Sequence, residues 1–335
     1  MWCSRGVITT RGSHTGDPHV SQKQESAIPN ESSESASARV NERLSEIIRR
    51  YRDTRVGKYA LMGPTLLFVL VVTVIPTLIL LRFSITPFDQ GSTQPGLTLE
   101  HYVRGLTTPL NQEILIRTIR IATVVTVINF LVGFPLAYAA VRKGGMIGKL
   151  IVIATLAPLT IDLVVRSFGW FILLNGSGVV NSTLIELGVF TRETAPDLMF
   201  NEVGIIIGLS HVMLPFMVFP IINVLHTVPR DLEEAARNLG ANRLTVFTRI
   251  LAPLALPGIS AGVLITFVVS LASYVTPALL GGGIRVVPVV ITETFTATSN
   301  WPFASALSIV LVVVALFVIV AYQRILTRMD SVGGI

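Results

Sequence analysis

Long stretches almost free of charge alternate with short charged segments along this chain of 335 residues. An α-helix rises about 1.5 Å per residue, so about 20 apolar residues cross the hydrocarbon layer of a bilayer. Six runs have or approach that length, and we expect each of them to be a membrane-spanning helix. They cover approximately residues 59–81, 121–141, 150–166, 203–225, 256–279 and 303–322. The sequence therefore predicts an all-α polytopic membrane protein with six transmembrane helices.

Composition agrees with this prediction and argues against several classes of function. The chain is 51% hydrophobic and 14% charged, whereas a soluble domain carries about 25% charged residues. Its net charge of +6 does not indicate nucleic-acid binding, because the basic residues lie beside the ends of the apolar runs, as orientation signals do. A single cysteine, Cys3, cannot form a disulfide framework or a thiolate metal cage. We expect no metal and no cofactor.

Lysine and arginine also predict which way the chain crosses the membrane. Basic groups before the first span, after the second, after the fourth and after the sixth all fall on one side of a six-span chain. The positive-inside rule makes that side cytoplasmic and puts both termini there. The segment 82–120 also carries arginines, but long loops cross the membrane largely regardless of charge. The four groups are Arg49, Arg50, Arg52, Arg55 and Lys58; Arg142, Lys143 and Lys149; Arg230, Arg237, Arg243 and Arg249; and Arg324 and Arg328.

The first 52 residues differ from the rest in composition. Up to about residue 40 they are rich in Ser, Glu, Asn and Gln, and such a segment buries too little apolar surface to offset its ordering entropy. Residues 40–52 form either a short amphipathic helix on the inner membrane surface or a solvated basic linker. We therefore predict a disordered cytoplasmic extension at 1–52 and one membrane-embedded domain at 53–335.

A short segment between the fourth and fifth spans, at about 226–253, contains several residues that typically begin or end helices. Asp231 followed by Glu234 fits a capping box. Gly240 fits the left-handed position that ends a helix, and Asn242 suits the cap of the next one. We expect two short helices that meet at a sharp corner on the cytoplasmic side.

The residues of this corner resemble the signature of permeases from binding-protein-dependent ABC importers. The signature reads Glu234, Ala235, Ala236, Gly240, Ile250 and Pro253. Ala252 departs from it mildly, because the family often has Leu before this proline. The stretch at 165–174 with Gly178 and Asn181, and the stretches at 214–216 and 275–282, look similar to spermidine/putrescine-type permease subunits. Together the resemblance covers approximately residues 60–325.

The resemblance implies a type I ABC importer permease fold with a coupling helix that docks on separate ATPase subunits. Glu234 and Arg237 are then expected to reach the ATPase, and Gly240 to set the angle of the lever. A second permease subunit, different from this one, and an extracytoplasmic solute-binding protein are the other implied partners besides membrane lipid. The resemblance further implies a bacterial inner membrane, a small solute such as a polyamine, and no chemistry on this chain.

Two charged residues inside a predicted span, Asp162 and Arg166, are candidates for the substrate path. Charges within spans are costly and commonly functional. Either the two neutralise each other near the outer interface, or Asp162 lines the path and attracts a cationic substrate. Trp170 is a candidate for the same path, and also has the amphipathic ring of an interface anchor.

Other classes of function account for less of the sequence. A secondary transporter or channel subunit fits the spans but leaves the Glu-Ala-Ala corner without a role. An intramembrane enzyme needs convergent catalytic groups, and the adjacent Ser210 and His211 point about 100° apart on a helix. Residues 144–150 resemble a phosphate-binding loop, but Lys143 stands in place of its first glycine and Leu150 in place of its final Ser or Thr, so ATP hydrolysis is expected on another chain.

Overall fold

A computed structural model of the chain describes residues 41–43, 55–89, 91–191 and 193–332. The predicted extension at 1–52 and its amphipathic helix at 40–52 lie outside the described residues, apart from residues 41–43, which are helical. Elsewhere the described residues are overwhelmingly helical, with one small hairpin in which β1 (Phe88–Asp89) pairs antiparallel with β2 (Ser92–Thr93). The predicted all-α class is confirmed.

Most of the helices follow one another with short connections. They are α1 (Arg55–Ser84), α2 (Glu100–Thr107), α3 (Pro109–Lys143), α4 (Gly145–Thr160), α5 (Leu163–Leu174), α6 (Val179–Glu186), α7 (Glu202–Thr227), α8 (Asp231–Asn238), α9 (Arg243–Val246), a π-helical turn (Phe247–Leu251), α10 (Ala252–Leu254), α11 (Leu256–Leu271), α12 (Val275–Leu280), α13 (Val287–Thr296) and α14 (Trp301–Val332).

Among the described residues, five helices are long and apolar enough to cross a membrane. A sixth span is counted when Leu244–Leu254 and Leu256–Leu271, which meet at a bend of 72°, are taken together. The five are Gly63–Ser84, Pro109–Lys143, Leu163–Glu186, Glu202–Thr227 and Trp301–Thr327. The polytopic helical fold is therefore confirmed.

Two predicted spans are interrupted. The expected helix at 150–166 ends at Thr160, and a new helix begins at Leu163 because the Asp162 side chain caps its first N–H groups. The expected span at 256–279 breaks after Leu271 and resumes at Val275. Pro277 lies in the first turn of α12, where its missing N–H costs little, so the sequence favours a helix start at this point.

The chain divides into two compact units, residues 1–72 and 73–335. Apart from residues 41–43, the described part of the first unit belongs to α1, where large apolar side chains such as Leu67 and Phe68 are more than 60% exposed. Apolar side chains exposed along a helix of spanning length suit an apolar neighbour such as lipid. The second unit contains the remaining elements and the packed core.

Helices α3, α7 and α11 pack against one another and form that core. Its largest cluster includes Phe134 of α3 and Met217 and Ile221 of α7, all 1% exposed or less. Helix α11 approaches α7 at Gly258, where a Cβ atom would lie 2.6 Å from the carbonyl oxygen of Pro220. Only a residue without a side chain permits this approach. The corner segment α8–α10 connects two of these three core helices.

Candidate functional site

The corner between α8 and α9 has the geometry that the sequence predicts. Gly240 ends α8 in the left-handed region, with φ at 88°. Its N–H donates to the carbonyl of Arg237 at 2.9 Å, and the N–H of Ala241 donates to the carbonyl of Ala236 at 3.0 Å. This pair of bonds is a Schellman motif, which closes the free carbonyls of a helix end. The Asn242 side chain then caps α9 by accepting the Thr245 N–H at 2.7 Å.

The predicted capping box at the start of α8 is wrong. Arg230 occupies the cap position, its backbone is already helical (φ −65°, ψ −30°), and no side chain caps the helix. Asp231 is therefore the first residue inside the helix, whereas a capping side chain needs an extended backbone. Asp231 and Glu234 still lie in the first turn, where negative charge interacts favourably with the helix dipole.

The predicted coupling residues do not all face the same way. Glu234, Ala235, Arg237, Gly240 and Pro253 are exposed, whereas Ala236 and Ile250 are half-buried. One side of the corner is thus open to a partner and the other is packed.

Three leucines at the corner were not among the predicted residues. Leu239 is 89% exposed, Leu244 70% and Leu232 44%. Large apolar side chains exposed beside charged ones are typical of protein interfaces. A sequence signal for them exists, since they are apolar residues in an otherwise polar segment between two spans.

The second half of the corner contains an irregular turn. Residues Phe247–Leu251 are π-helical, and Ile250 lies in this turn. Pro253, two residues after the turn, has no N–H to donate, which favours a departure from regular helix just before it. The Phe247 ring packs edge-on against Phe134 of α3, with ring centroids 4.8 Å apart. The turn therefore joins the corner to the core.

Glu233, which the sequence analysis passed over in favour of Glu234, is the buried acidic residue of α8 at 5% exposure. Its carboxylate accepts a hydrogen bond from the Tyr138 hydroxyl at 3.0 Å and another from the Arg142 Nε. Arg237, one helical turn later, lies 3.5 Å from the same carboxylate. We call these four residues the Glu233 cluster. Glu233 and Arg237 share one helix face by their spacing, which is a signal available in the sequence.

A second group of ion pairs lies at the other end of α3. The Glu202 carboxylate at the start of α7 pairs with Arg120, and the Arg117 Nε lies 3.2 Å from the same oxygen without hydrogen-bond geometry. Arg117 also pairs with Glu113 on its own helix. We call these four residues the Glu202 cluster. Sequence analysis missed it because the first third of α3 was assigned to a loop.

The candidate substrate-path residues of α5 take separate partners. Asp162 caps the helix, accepting the Val164 N–H at 2.8 Å, while the Arg166 guanidinium donates to the carbonyl of Pro158 in α4. The two side chains therefore bond to different groups, and the role of Asp162 in the path stays a prediction. The cap position itself satisfies the Asp162 carboxylate.

Trp170 connects α5 to α7. Its indole N–H donates to the Nδ1 atom of His211 at 3.1 Å, and the two rings meet edge-on with centroids 5.5 Å apart. Among the described residues, no group of three or more His, Cys, Asp or Glu side chains is arranged to hold a metal ion. The expectation that the whole chain needs no metal stays a prediction.

Comparison with known proteins identifies the family. A family model described as the binding-protein-dependent transport system inner membrane component matches residues 56–331. The chain belongs to this family. The spermidine/putrescine transport system permease protein PotB of Haemophilus influenzae is 32% identical over 253 residues, covering 75% of this chain and 87% of that protein. PotB of Escherichia coli K12 is 32% identical over 252 residues, covering 75% and 90%.

A solved structure supports the fold of this permease independently. A bacterial ABC transporter involved in the import of the acidic polysaccharide alginate matches with a TM-score of 0.64 at 19% identity, covering 85% of this chain and 99% of that one. The likeness concerns the fold alone. With the family match, the permease is a multi-pass inner-membrane protein that serves as the translocation subunit of an ABC importer. The predicted family is confirmed.

Proposed function

We propose that this permease carries a polyamine such as spermidine or putrescine, and that ATPase subunits on separate chains drive it through the corner at 226–253. The observation that carries the coupling role is the two-sided corner. Glu234, Ala235 and Arg237 are exposed beside exposed leucines, while the opposite face packs on the core. Identity of 32% to two spermidine/putrescine permeases supports the substrate class.

The mechanism follows from the stiffness of the corner. Ala235 gives α8 a small surface that another protein can approach closely, and Glu234 and Arg237 offer one charge of each sign for pairing at the rim. ATP binding that moves the ATPase subunits would push α8, and the Schellman closure at Gly240 keeps the angle to α9 constant. The spans then shift between inward-open and outward-open states, because a rigid lever biases two packed arrangements.

The remaining partners complete the proposal. A second permease subunit, different from this chain, contributes the other half of the path, and an extracytoplasmic solute-binding protein delivers the solute. The basic groups beside the span ends support an orientation with both termini and the corner in the cytoplasm. The permease itself then performs no chemistry and holds no cofactor.

The lever is tested by Gly240→Pro in the complete transporter. Proline holds φ near −65° and lacks the N–H that bonds Arg237, so ATP-driven uptake should be lost while membrane insertion is retained. Gly63→Ala is the matched control, because it lies in helix α1 where a Cβ atom would have nothing within 4 Å. Normal uptake by Gly240→Pro would refute the lever. Uptake by the wild-type permease without any ATP-hydrolysing partner would favour a secondary transporter or channel subunit instead.

The substrate is tested by uptake of labelled spermidine and putrescine into proteoliposomes that contain the whole importer and its binding protein. Saturable, ATP-dependent uptake of either one is expected, and failure of both would refute the polyamine assignment. Asp162→Asn should raise the half-saturating concentration if the exposed carboxylate attracts a cation on its way. Unchanged kinetics at normal expression would refute the role of Asp162 in the path, while Arg166 and Trp170 would need variants of their own.

A further inference from the structure

The carboxylate of Glu233 is not part of the exposed surface of α8 that we propose docks on the ATPase. Glu233 faces away from the exposed side of α8 and is 5% exposed. A buried carboxylate is tolerated only when it is paired and hydrogen-bonded. Its pairing comes mainly from Tyr138 and Arg142, both on the last two turns of α3. An apolar contact at this position would also hold α3 and α8 together, yet the sequence has a buried ion pair there.

Further bonds cross the same junction in both directions. The two Nη atoms of Arg142 each donate to the carbonyl of Val228 at 3.2 Å, just before α8. In return, Arg230 donates to the carbonyl of Val141 at 3.0 Å. Two arginines and one carboxylate therefore tie the end of α3 to the segment 228–233. Hydrogen bonds to charged groups are the strong ones.

These side-chain bonds connect α8 to α3, to which α8 is not adjacent in the sequence. Along the chain, α8 leads to α11 through the corner and its irregular turn. Through Glu233, it acts directly on α3, a helix of 35 residues that extends about 50 Å. A displacement of α8 would therefore also move the far end of α3, where the Glu202 cluster joins α3 to α7.

We propose that Glu233 is a positioning residue for energy coupling, which latches α8 to α3 so that both helices move together. The inference rests on the proposed docking of ATPase subunits on the exposed face of α8. Glu233 itself touches neither the ATPase nor the solute. Its removal should therefore spare assembly and ATP hydrolysis but lower the amount of solute carried per ATP.

The test separates this role from stability. Glu233→Gln leaves Arg142 charged and buried without its partner, which also weakens the fold. The double variant Glu233→Gln with Arg142→Gln removes both charges and so relieves that penalty. We expect the double variant to insert, to co-purify with its ATPase subunits, and to carry solute per ATP at a level at least about tenfold below wild type, a factor that corresponds to about 1.4 kcal/mol.

A matched control uses another ion pair of the same permease. Glu293 lies 3.5 Å from Arg285, and both side chains are about half-exposed. Glu293→Gln should transport with wild-type yield per ATP. Wild-type yield in the Glu233/Arg142 double variant would overturn the latch and leave a structural ion pair. Loss of ATPase co-purification in that variant would also overturn it, because Glu233 would then act on docking.

Failure of the latch is distinguishable from failure of the proposed function. If the wild-type permease does not co-purify with ATPase subunits, the docking proposal fails, and the latch fails with it. If the wild type does co-purify with them but the double variant has wild-type yield per ATP, the latch alone fails. Should the double variant not insert, Tyr138→Phe decides, because it removes one hydrogen bond and strands no charge. A lowered yield per ATP in Tyr138→Phe supports the latch, and an unchanged yield overturns it.

Discussion

Helix α3 is tied at both ends by ion pairs, and the two ends differ in exposure. In the Glu233 cluster the side chains of Arg142 and Glu233 are 11% and 6% exposed. In the Glu202 cluster the side chains of Arg120 and Glu202 are 58% and 27% exposed. Water therefore screens the second pair more strongly than the first. The same chemistry therefore serves as a firm connection at one end and a weak one at the other.

This difference agrees with the proposed coupling, in which α3 is pushed at one end and rearranges at the other. Removing one partner of a buried pair lowers the free energy of unfolding by several kcal/mol, because the remaining buried charge has no counter-charge. Exposed pairs are worth about 0–1 kcal/mol and exchange readily with water. The contrast is testable by removing one member of each cluster at a time.

The largest effect is expected for Arg142→Met. This change leaves Glu233 buried with only the half-exposed Arg237, 3.5 Å away, as a cation, and also removes the donors to the Val228 carbonyl. We expect a loss of about 3–5 kcal/mol in the free energy of unfolding, measured by thermal or denaturant unfolding of the purified permease in detergent. A loss below 1 kcal/mol would mean that water reaches the cluster and that the contrast between the two ends is false.

Tyr138→Phe should have an intermediate effect. It deletes the hydroxyl that donates to Glu233 at 3.0 Å and retains the ring. A hydrogen bond to a charged group contributes about 1.5–3 kcal/mol, and we expect a loss at the lower end of that range in the same unfolding assay. Tyr102→Phe is a control at another hydroxyl, which is bonded to the neutral Ser84 at 2.6 Å, and should cost less.

Glu202→Gln should cost about 1 kcal/mol or less, because its hydrogen-bonded partner Arg120 is 58% exposed. The effect should also shrink as salt is raised, since screening already weakens the wild-type pairs. Comparing unfolding at low and high salt checks this directly. An effect as large and as insensitive to salt as that of Arg142→Met would make the two clusters equivalent.

The smallest change is expected for Glu113→Gln. The Glu113 side chain is 62% exposed and pairs with Arg117 one turn along the same helix. Such pairs contribute about 0.3–0.5 kcal/mol. Unfolding should be nearly unchanged, and transport should be unaffected. A clear loss of transport would assign this end of α3 a role that its exposure does not suggest.

Much of the candidate site was predictable because it depends on local sequence. Gly240 ends α8 in the left-handed region, and Asn242 caps α9, as their residue types and positions indicate. The capping box at Asp231 failed, since the backbone of Arg230 was already helical. The arrangement of the path candidates also depended on a helix boundary. Spacing allowed Asp162 and Arg166 to meet on one face, but a helix boundary falls between Thr160 and Leu163.

The sequence by itself determined the helical class and the family, because apolar length and the Glu-Ala-Ala corner are properties of contiguous residues. Only the tertiary structure decided which of two adjacent glutamates is buried. Glu233 and its partner Tyr138 are 95 residues apart, and their meeting depends on how α3, α7 and α11 pack. A one-residue step turns a helical side chain by about 100°, so that packing alone separates an exposed Glu234 from a latched Glu233.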